Sequence, residues 1–189
     1  MEHKDHGNGI LVYEKALDSA VCQEIINRFK LDPTKVTEAP EVDEKRGVGN
    51  YRKCETVFSS KFPLWADLNG KMVEAIDRCM GHYSHRFNDF LSVPVKDSGF
   101  EIVRYKSGDV CDFHTDGGPM QREIFASVII FLNTLHYPGQ GSLVFTEQEK
   151  VIEAIEGNLL IFPSTFVHRH GTTPAIEDRY VVVSFMRYA

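Results

Sequence analysis

The N-terminal half of the chain predicts two amphipathic helices. Apolar residues recur every three or four positions over 19–30 and again over 64–87, a spacing that places them on one helical face. A short apolar run at 10–13 predicts a strand before the first helix. The polar segment 30–52 carries both signs of charge with prolines and glycines, and it predicts a long surface loop, either a lid or an inert insertion.

From position 99 onward the pattern changes to short β-branched and aromatic runs separated by turn residues. The predicted strands are 100–105, 124–132, 142–145, 151–155, 158–162 and 180–186. Such strands without intervening helices favour antiparallel sheets that close as a double-stranded β-helix, the jelly roll of cupins. We therefore predict a mainly β (α+β) fold with the N-terminal helices packed outside. The chain would form one domain over 1–189, with a helical support and lid region at 10–98 and the catalytic roll at 99–189.

Composition narrows the class of protein. The chain has 189 residues, 42 % of them hydrophobic, and a net charge of −6, so it suits one globular domain and disfavours a nucleic-acid partner. The four cysteines lack CxxC spacing and are predicted to be reduced, unpaired and buried. Neither a signal peptide nor an apolar run of about 20 residues is evident, and we expect a soluble, cytoplasmic protein without a membrane partner.

Candidate metal ligands occur in the β-rich half. His114 and Asp116 are two residues apart, so in extended backbone their side chains point to the same side, although such a pair is also typical of exposed polar residues before a turn. His168 or His170 would add a second imidazole from across the roll. Two histidines and one carboxylate leave open positions on the metal, which suits non-haem Fe(II) chemistry better than a closed zinc site. Arg179 lies within an apolar strand pattern and needs an anionic partner if it points inward.

Over residues 101–188 the chain resembles the Fe(II)/2-oxoglutarate-dependent dioxygenases, and within them the prolyl 4-hydroxylases. The motifs that carry the resemblance are Arg104-Tyr105, Ser107-Gly108, His114-x-Asp116, Arg122, Phe131-Leu132-Asn133, Gly139-x-Gly141-Ser142, Gly157-Asn158, His170-x4-Pro174 and Arg179-Tyr180. The family places its distal histidine four residues before a proline, which favours His170 and leaves His168 as a flanking residue.

The resemblance implies a role for each site residue. His114, Asp116 and His170 would hold Fe(II), Arg179 would bind the far carboxylate of 2-oxoglutarate, and Tyr105 would lie against this co-substrate or belong to the core. With O2, and ascorbate as a reductant, the enzyme would hydroxylate an unactivated C–H bond and release succinate and CO2. The expected substrate is a prolyl residue of a peptide or protein.

Two alternatives stay open at the level of sequence. One is the same chemistry on a free amino acid or other small molecule, and the segment 30–60 with Arg46, Tyr51 and Arg52 would decide between a peptide groove and a sealed cavity. The other is a jelly-roll binding module without turnover. The chain also departs from the family pattern at Cys111, Phe131 and Asp178, and the first two of these departures bear on the substrate class more than on the reaction.

Overall fold

Two α-helices form in the N-terminal half, where the apolar spacing predicts them. The computed structural model describes residues 2–38, 42–43, 48–49, 52–87, 95–118 and 121–189. Helix α1 (Ser19–Leu31) begins after Asp18, and helix α2 (Ala66–Arg86) follows 3-10 turns at Ser59–Lys61 and Pro63–Trp65. Neither helix is long and apolar enough to cross a membrane, and the rest of the described chain contains no such helix.

The described strands outnumber the predicted ones. They are β1 (His3–Asp5), β2 (Leu11–Tyr13), β3 (Val36–Glu38), β4 (Val42–Asp43), β5 (Val48–Gly49), β6 (Cys54–Phe58), β7 (Val95–Asp97), β8 (Glu101–Tyr105), β9 (Ile124–Phe131), β10 (Leu143–Phe145), β11 (Lys150–Ile152), β12 (Leu159–Pro163), β13 (His170–Thr172) and β14 (Arg179–Tyr188). Each pairing between these described strands is antiparallel.

The strands form two main layers. The large sheet has the order β1-β2-β12-β9-β14-β8-β6-β3, with β7 paired to the end of β14, and the small sheet has the order β11-β10-β13. Strands β4 and β5 pair only with each other. The predicted jelly roll with helices on the outside is therefore confirmed. The large sheet includes β2, β3 and β6 from the N-terminal half. The predicted division into a support region at 10–98 and a roll at 99–189 stays a prediction.

Side-chain alternation along the strands of the large sheet produces two separate apolar layers. In β9, Val128 and Ile130 belong to the cluster shared with both helices, whereas Ile129 and Phe131 belong to the cluster between the two sheets. This is the period of two expected of a strand buried on both faces. Polar side chains that alternate into the inner layer therefore end inside the roll, where a functional site can form.

Two sequence predictions need adjustment. His170 lies outside all of the predicted strands, but it begins a separate strand, β13, in the small sheet. The segment 30–52 was predicted to be a surface loop, yet β3 pairs with β6 at the edge of the large sheet. Arg46 and Tyr51, which were proposed to distinguish a groove from a sealed cavity, lie outside the described residues. All four cysteines are buried and none forms a disulfide, as predicted.

Candidate active site

Three of the predicted site residues meet inside the roll. His114, Asp116 and His170 each offer one ligand atom, and these atoms lie within 4.8 Å of one another. His114 Nε2 is 3.2 Å from Asp116 Oδ1, and His170 Nε2 is 3.6 Å from Asp116 Oδ2. Among the described residues, no other group of His, Cys, Asp or Glu side chains has comparable geometry.

Backbone hydrogen bonds bring the two histidines together. The amide of His114 donates to the carbonyl of His170 over 2.8 Å, and the amide of His170 donates back to His114 over 2.9 Å. Their rings consequently lie side by side, with centroids 4.5 Å apart. Asp116 follows two residues after His114, so its carboxylate reaches the same point. The fold thus joins a motif in one loop to the first residue of β13.

Both imidazoles are oriented by backbone carbonyls. His114 Nδ1 is 2.8 Å from the carbonyl oxygen of Asp112, and His170 Nδ1 is 3.0 Å from that of His168. A carbonyl only accepts, so each Nδ1 carries the proton and each Nε2 turns toward Asp116. Such carbonyl partners fix the tautomer of metal-binding histidines.

Asp116 is anchored from the large sheet. Ser127, in β9, donates from Oγ to Asp116 Oδ2, and Ser164 Oγ lies 2.6 Å from Ser127 Oγ. Gly117 makes room for this arrangement, because a Cβ there would lie 1.8 Å from the carbonyl oxygen of Ser164. Ser127 was not identified from the sequence, where the available signal was a polar residue at an inward position of the apolar strand β9. Ser164 follows β12 directly, and the sequence assigned it no role in the site.

The charge balance of the cluster favours a cation at its centre. Burial by itself would raise the pKa of Asp116, but the hydrogen bond with His114 and the proximity of His170 hold that pKa below its usual value. Burial opposes the charged form of His114 too, yet the bond to Asp116 raises its pKa, whereas burial lowers the pKa of His170. Two imidazole nitrogens and one carboxylate therefore suit a divalent transition metal.

His168 does not join the cluster. Its Nε2 lies 2.8 Å from the carbonyl oxygen of Asn8, and its Nδ1 lies 2.8 Å from Thr165 Oγ1. Both ring nitrogens are therefore engaged in contacts that tie the N-terminal segment to the roll. This geometry agrees with the sequence prediction that His170, rather than His168, is the second imidazole of the cluster.

A cavity of about 310 Å³, hereafter the main cavity, joins this cluster to Arg179 and Tyr105. Arg179 is buried, donates from Nη1 to the carbonyl of Gly141 over 3.0 Å, and lies 4.4 Å from the centre of the Tyr105 ring. Among the described residues Arg179 forms no ion pair, and burial lowers its pKa. A buried guanidinium without a carboxylate favours an anionic ligand in the cavity.

The wall of the main cavity carries a second charged group. Arg52 bonds to Glu38 through Nε over 2.8 Å and also contacts Glu101, and both Arg52 and Glu101 line the cavity. Burial raises the pKa of Glu101 even though Arg52 opposes this effect. Arg52 was singled out from the sequence, whereas Glu101 was not. Glu101 could have been recognised as a charged residue within the apolar strand β8.

The unusual Asp178 has a structural role on the opposite face of the sheet. Arg104 donates from Nη2 to Asp178 Oδ2 over 2.6 Å and from Nη1 to Glu55 Oε2 over 3.0 Å. Asp178 thus pairs with an arginine of the neighbouring strand β8. Its departure from the family pattern does not alter the lining of the main cavity.

One protein-family model matches the part of the chain that contains the metal cluster and Arg179. Residues 100–187 match the model of the family described as the 2OG-Fe(II) oxygenase superfamily. This match includes His114, Asp116, His170 and Arg179. No curated protein sequence matches the chain.

Solved structures show the same fold at low identity. The 2OG complex of a viral collagen prolyl hydroxylase from Paramecium Bursaria Chlorella virus-1 matches with a TM-score of 0.72 at 14 % identity, covering 97 % of this chain and 98 % of that one. A Trichoplax adhaerens prolyl hydroxylase, in complex with a hypoxia inducible factor peptide fragment, has a TM-score of 0.72 at 18 % identity, covering 96 % and 84 %. A Pseudomonas putida prolyl-4-hydroxylase has a TM-score of 0.70 at 16 % identity, covering 96 % and 94 %.

Proposed function

We propose that the protein is an Fe(II)- and 2-oxoglutarate-dependent dioxygenase that hydroxylates a prolyl residue of a peptide or protein. The match of residues 100–187 to the 2OG-Fe(II) oxygenase superfamily supports the reaction class. His114, Asp116 and His170 would hold the iron, and Arg179 would bind 2-oxoglutarate. The observation that carries the proposal is the presence, in one cavity, of this ligand cluster and a buried guanidinium without a carboxylate partner among the described residues.

Different residues of the main cavity would serve the metal, the co-substrate and the apolar surroundings. Bound Fe(II) would couple the oxidative decarboxylation of 2-oxoglutarate by O2 to hydroxylation of a C–H bond, giving the alcohol, succinate and CO2. Arg179 orients the co-substrate by charge-assisted hydrogen bonds to its far carboxylate. Tyr105 packs against the guanidinium and limits its movement. Ile129, Phe131 and Val181 keep this part of the cavity apolar.

The prolyl substrate is supported by relatives in fold. The three solved structures reported above are named prolyl hydroxylases, and the one from Trichoplax adhaerens holds a peptide. Phe131 supplies no hydroxyl toward the far carboxylate, so Arg179 would act there with less help. Ascorbate would serve as the reductant that maintains Fe(II).

An anaerobic titration tests the reaction class. Adding Fe(II) and then 2-oxoglutarate should produce the weak visible charge-transfer band of the metal chelate, and admitting O2 should yield succinate. The band should be missing in Asp116→Ala. A wild-type chain that forms neither band nor succinate would be a binding module, and the proposal would fail.

A second measurement tests the substrate class. Mass spectrometry of a proline-containing peptide library should show a gain of one oxygen on proline when the loaded enzyme is present. A free amino acid or other small molecule is the competing substrate. Hydroxylation of free proline with no peptide modified would favour that alternative over the peptide.

A further inference from the structure

A second cavity opens beside the main one. It has a volume of about 200 Å³ and shares Glu101, Val183 and Phe185 with the main cavity. We call it the side pocket; its remaining lining residues are Phe58, Ser60, Lys61, Ser98, Gly99, Phe100 and Arg187. Because the two cavities have three residues in common, the side pocket lies directly beside the main cavity.

Two cationic side chains, those of Lys61 and Arg187, line the otherwise mostly apolar side pocket. The Lys61 ammonium lies 4.4 Å from the centre of the Phe58 ring, and Phe58 is 38 % exposed. Arg187 is partly buried, and its Nε is a buried donor without a hydrogen-bond partner. Within the described part of the chain, neither cation forms an ion pair. Glu101, the carboxylate in the shared wall, is already bonded to Arg52.

We propose that the side pocket binds an acidic side chain of the peptide substrate, through Lys61 and Arg187. The inference rests on the proposed peptide hydroxylation and names the kind of sequence that would be selected. Apart from Glu101, which is bonded to Arg52, no described carboxylate lines the pocket, so its two cations complement an aspartate or glutamate, and a buried donor such as Arg187 Nε gains most from an ionised acceptor. The site is also a local exception to the acidic balance of the chain, which has a net charge of −6.

Strand register gives the spacing between the two subsites. Ser127, which contacts Asp116, pairs with Phe185, and Arg187 lies two residues further along β14. Across the sheet, Val183 pairs with Glu101 and Glu101 pairs with Phe58. At about 3.3 Å per residue and about 4.8 Å per strand, the side pocket lies roughly 10 to 14 Å from the metal cluster. An extended peptide covers this distance with three or four residues.

A positional set of peptides tests the proposal. Each peptide has one proline in a neutral background and one aspartate, placed from six residues before the proline to six after it; matched peptides carry asparagine instead. With the full chain, Fe(II) and 2-oxoglutarate, aspartate three or four residues from proline, on one side, should raise kcat/KM about three- to tenfold over asparagine.

Charge reversal of Lys61 separates this inference from the proposed function. Lys61→Glu should remove the preference in kcat/KM for the aspartate peptide over the asparagine peptide, and it should favour a peptide with lysine at the same position. Lys71→Glu, on the exposed face of α2, should leave the preference for aspartate unchanged. Hydroxylation with equal kcat/KM for the aspartate and asparagine peptides at every position would contradict the proposed acidic-residue site in the side pocket, but it would still support peptide hydroxylation. Absence of hydroxylation on any peptide would overturn both.

Discussion

Replacing Arg179 by methionine should separate co-substrate binding from folding. The guanidinium is buried, and its described partners are one carbonyl, that of Gly141, and the Tyr105 ring. Methionine has a similar length without the charge. The variant loses a charged hydrogen bond worth about 1.5–3 kcal/mol, but it also relieves the burial of an uncompensated charge, which costs several kcal/mol. Without 2-oxoglutarate its melting temperature should therefore stay within a few degrees of the wild type.

The effect on co-substrate binding is much larger. Truncating one partner of a buried, hydrogen-bonded charge pair costs about 2–5 kcal/mol, so the Kd of 2-oxoglutarate should rise roughly 30-fold to several thousand-fold. At a concentration of 100 Kd, a ligand stabilises the wild type by about 2.7 kcal/mol, which is about 5–11 °C for a chain of this size. In a variant that binds 100-fold more weakly, the same concentration contributes about 0.4 kcal/mol, or about 1 °C.

The assay is thermal unfolding of the Ni(II)-loaded protein with and without 2-oxoglutarate, in wild type, Arg179→Met and Arg104→Met. Arg104 is the matched control because it pairs with Glu55 and Asp178 on the other face of the sheet. Its variant should melt lower than the wild type but keep the full shift with 2-oxoglutarate. A full shift in Arg179→Met would refute the assignment of this guanidinium to the co-substrate.

Three further predictions concern the metal cluster and its support, and the first two are measured by anaerobic Fe(II) or Ni(II) calorimetry. His170→Ala should abolish specific metal binding, whereas His168→Ala should retain it; equal loss in both would contradict the choice of His170. Ser127→Ala should weaken metal binding about 10- to 100-fold with little change in fold by circular dichroism. An unchanged Kd for the metal would show that Ser127 does not support the cluster. Gly117→Ala should destabilise the protein by about 1–3 kcal/mol or more in urea unfolding, because the new Cβ meets the Ser164 carbonyl; unchanged stability would contradict this close approach.

Much of the fold was predictable because local patterns determine it. The helices end within one or two residues of their predicted bounds, since the apolar spacing of α1 and α2 reflects the face that each one buries. Six strands of the C-terminal half were predicted for the same reason, whereas the three-residue strands β7 and β13 were not. Strand β3 was harder to predict, because an edge strand with polar residues needs only its neighbour to form, and its local sequence is typical of a loop. Strand β6, which lies between β8 and β3, was also not predicted.

The sequence by itself determined the class of fold, the ligand types and the choice of His170, because residue identity, strand period and motif spacing are properties of the chain. Only the tertiary structure decided which charges share a cavity. The pairing of Arg52 with Glu101 and the shared lining of the side pocket by Lys61 and Arg187 join residues far apart in sequence. Such contacts depend on strand register, in which a shift of one residue turns a side chain to the opposite face of the sheet.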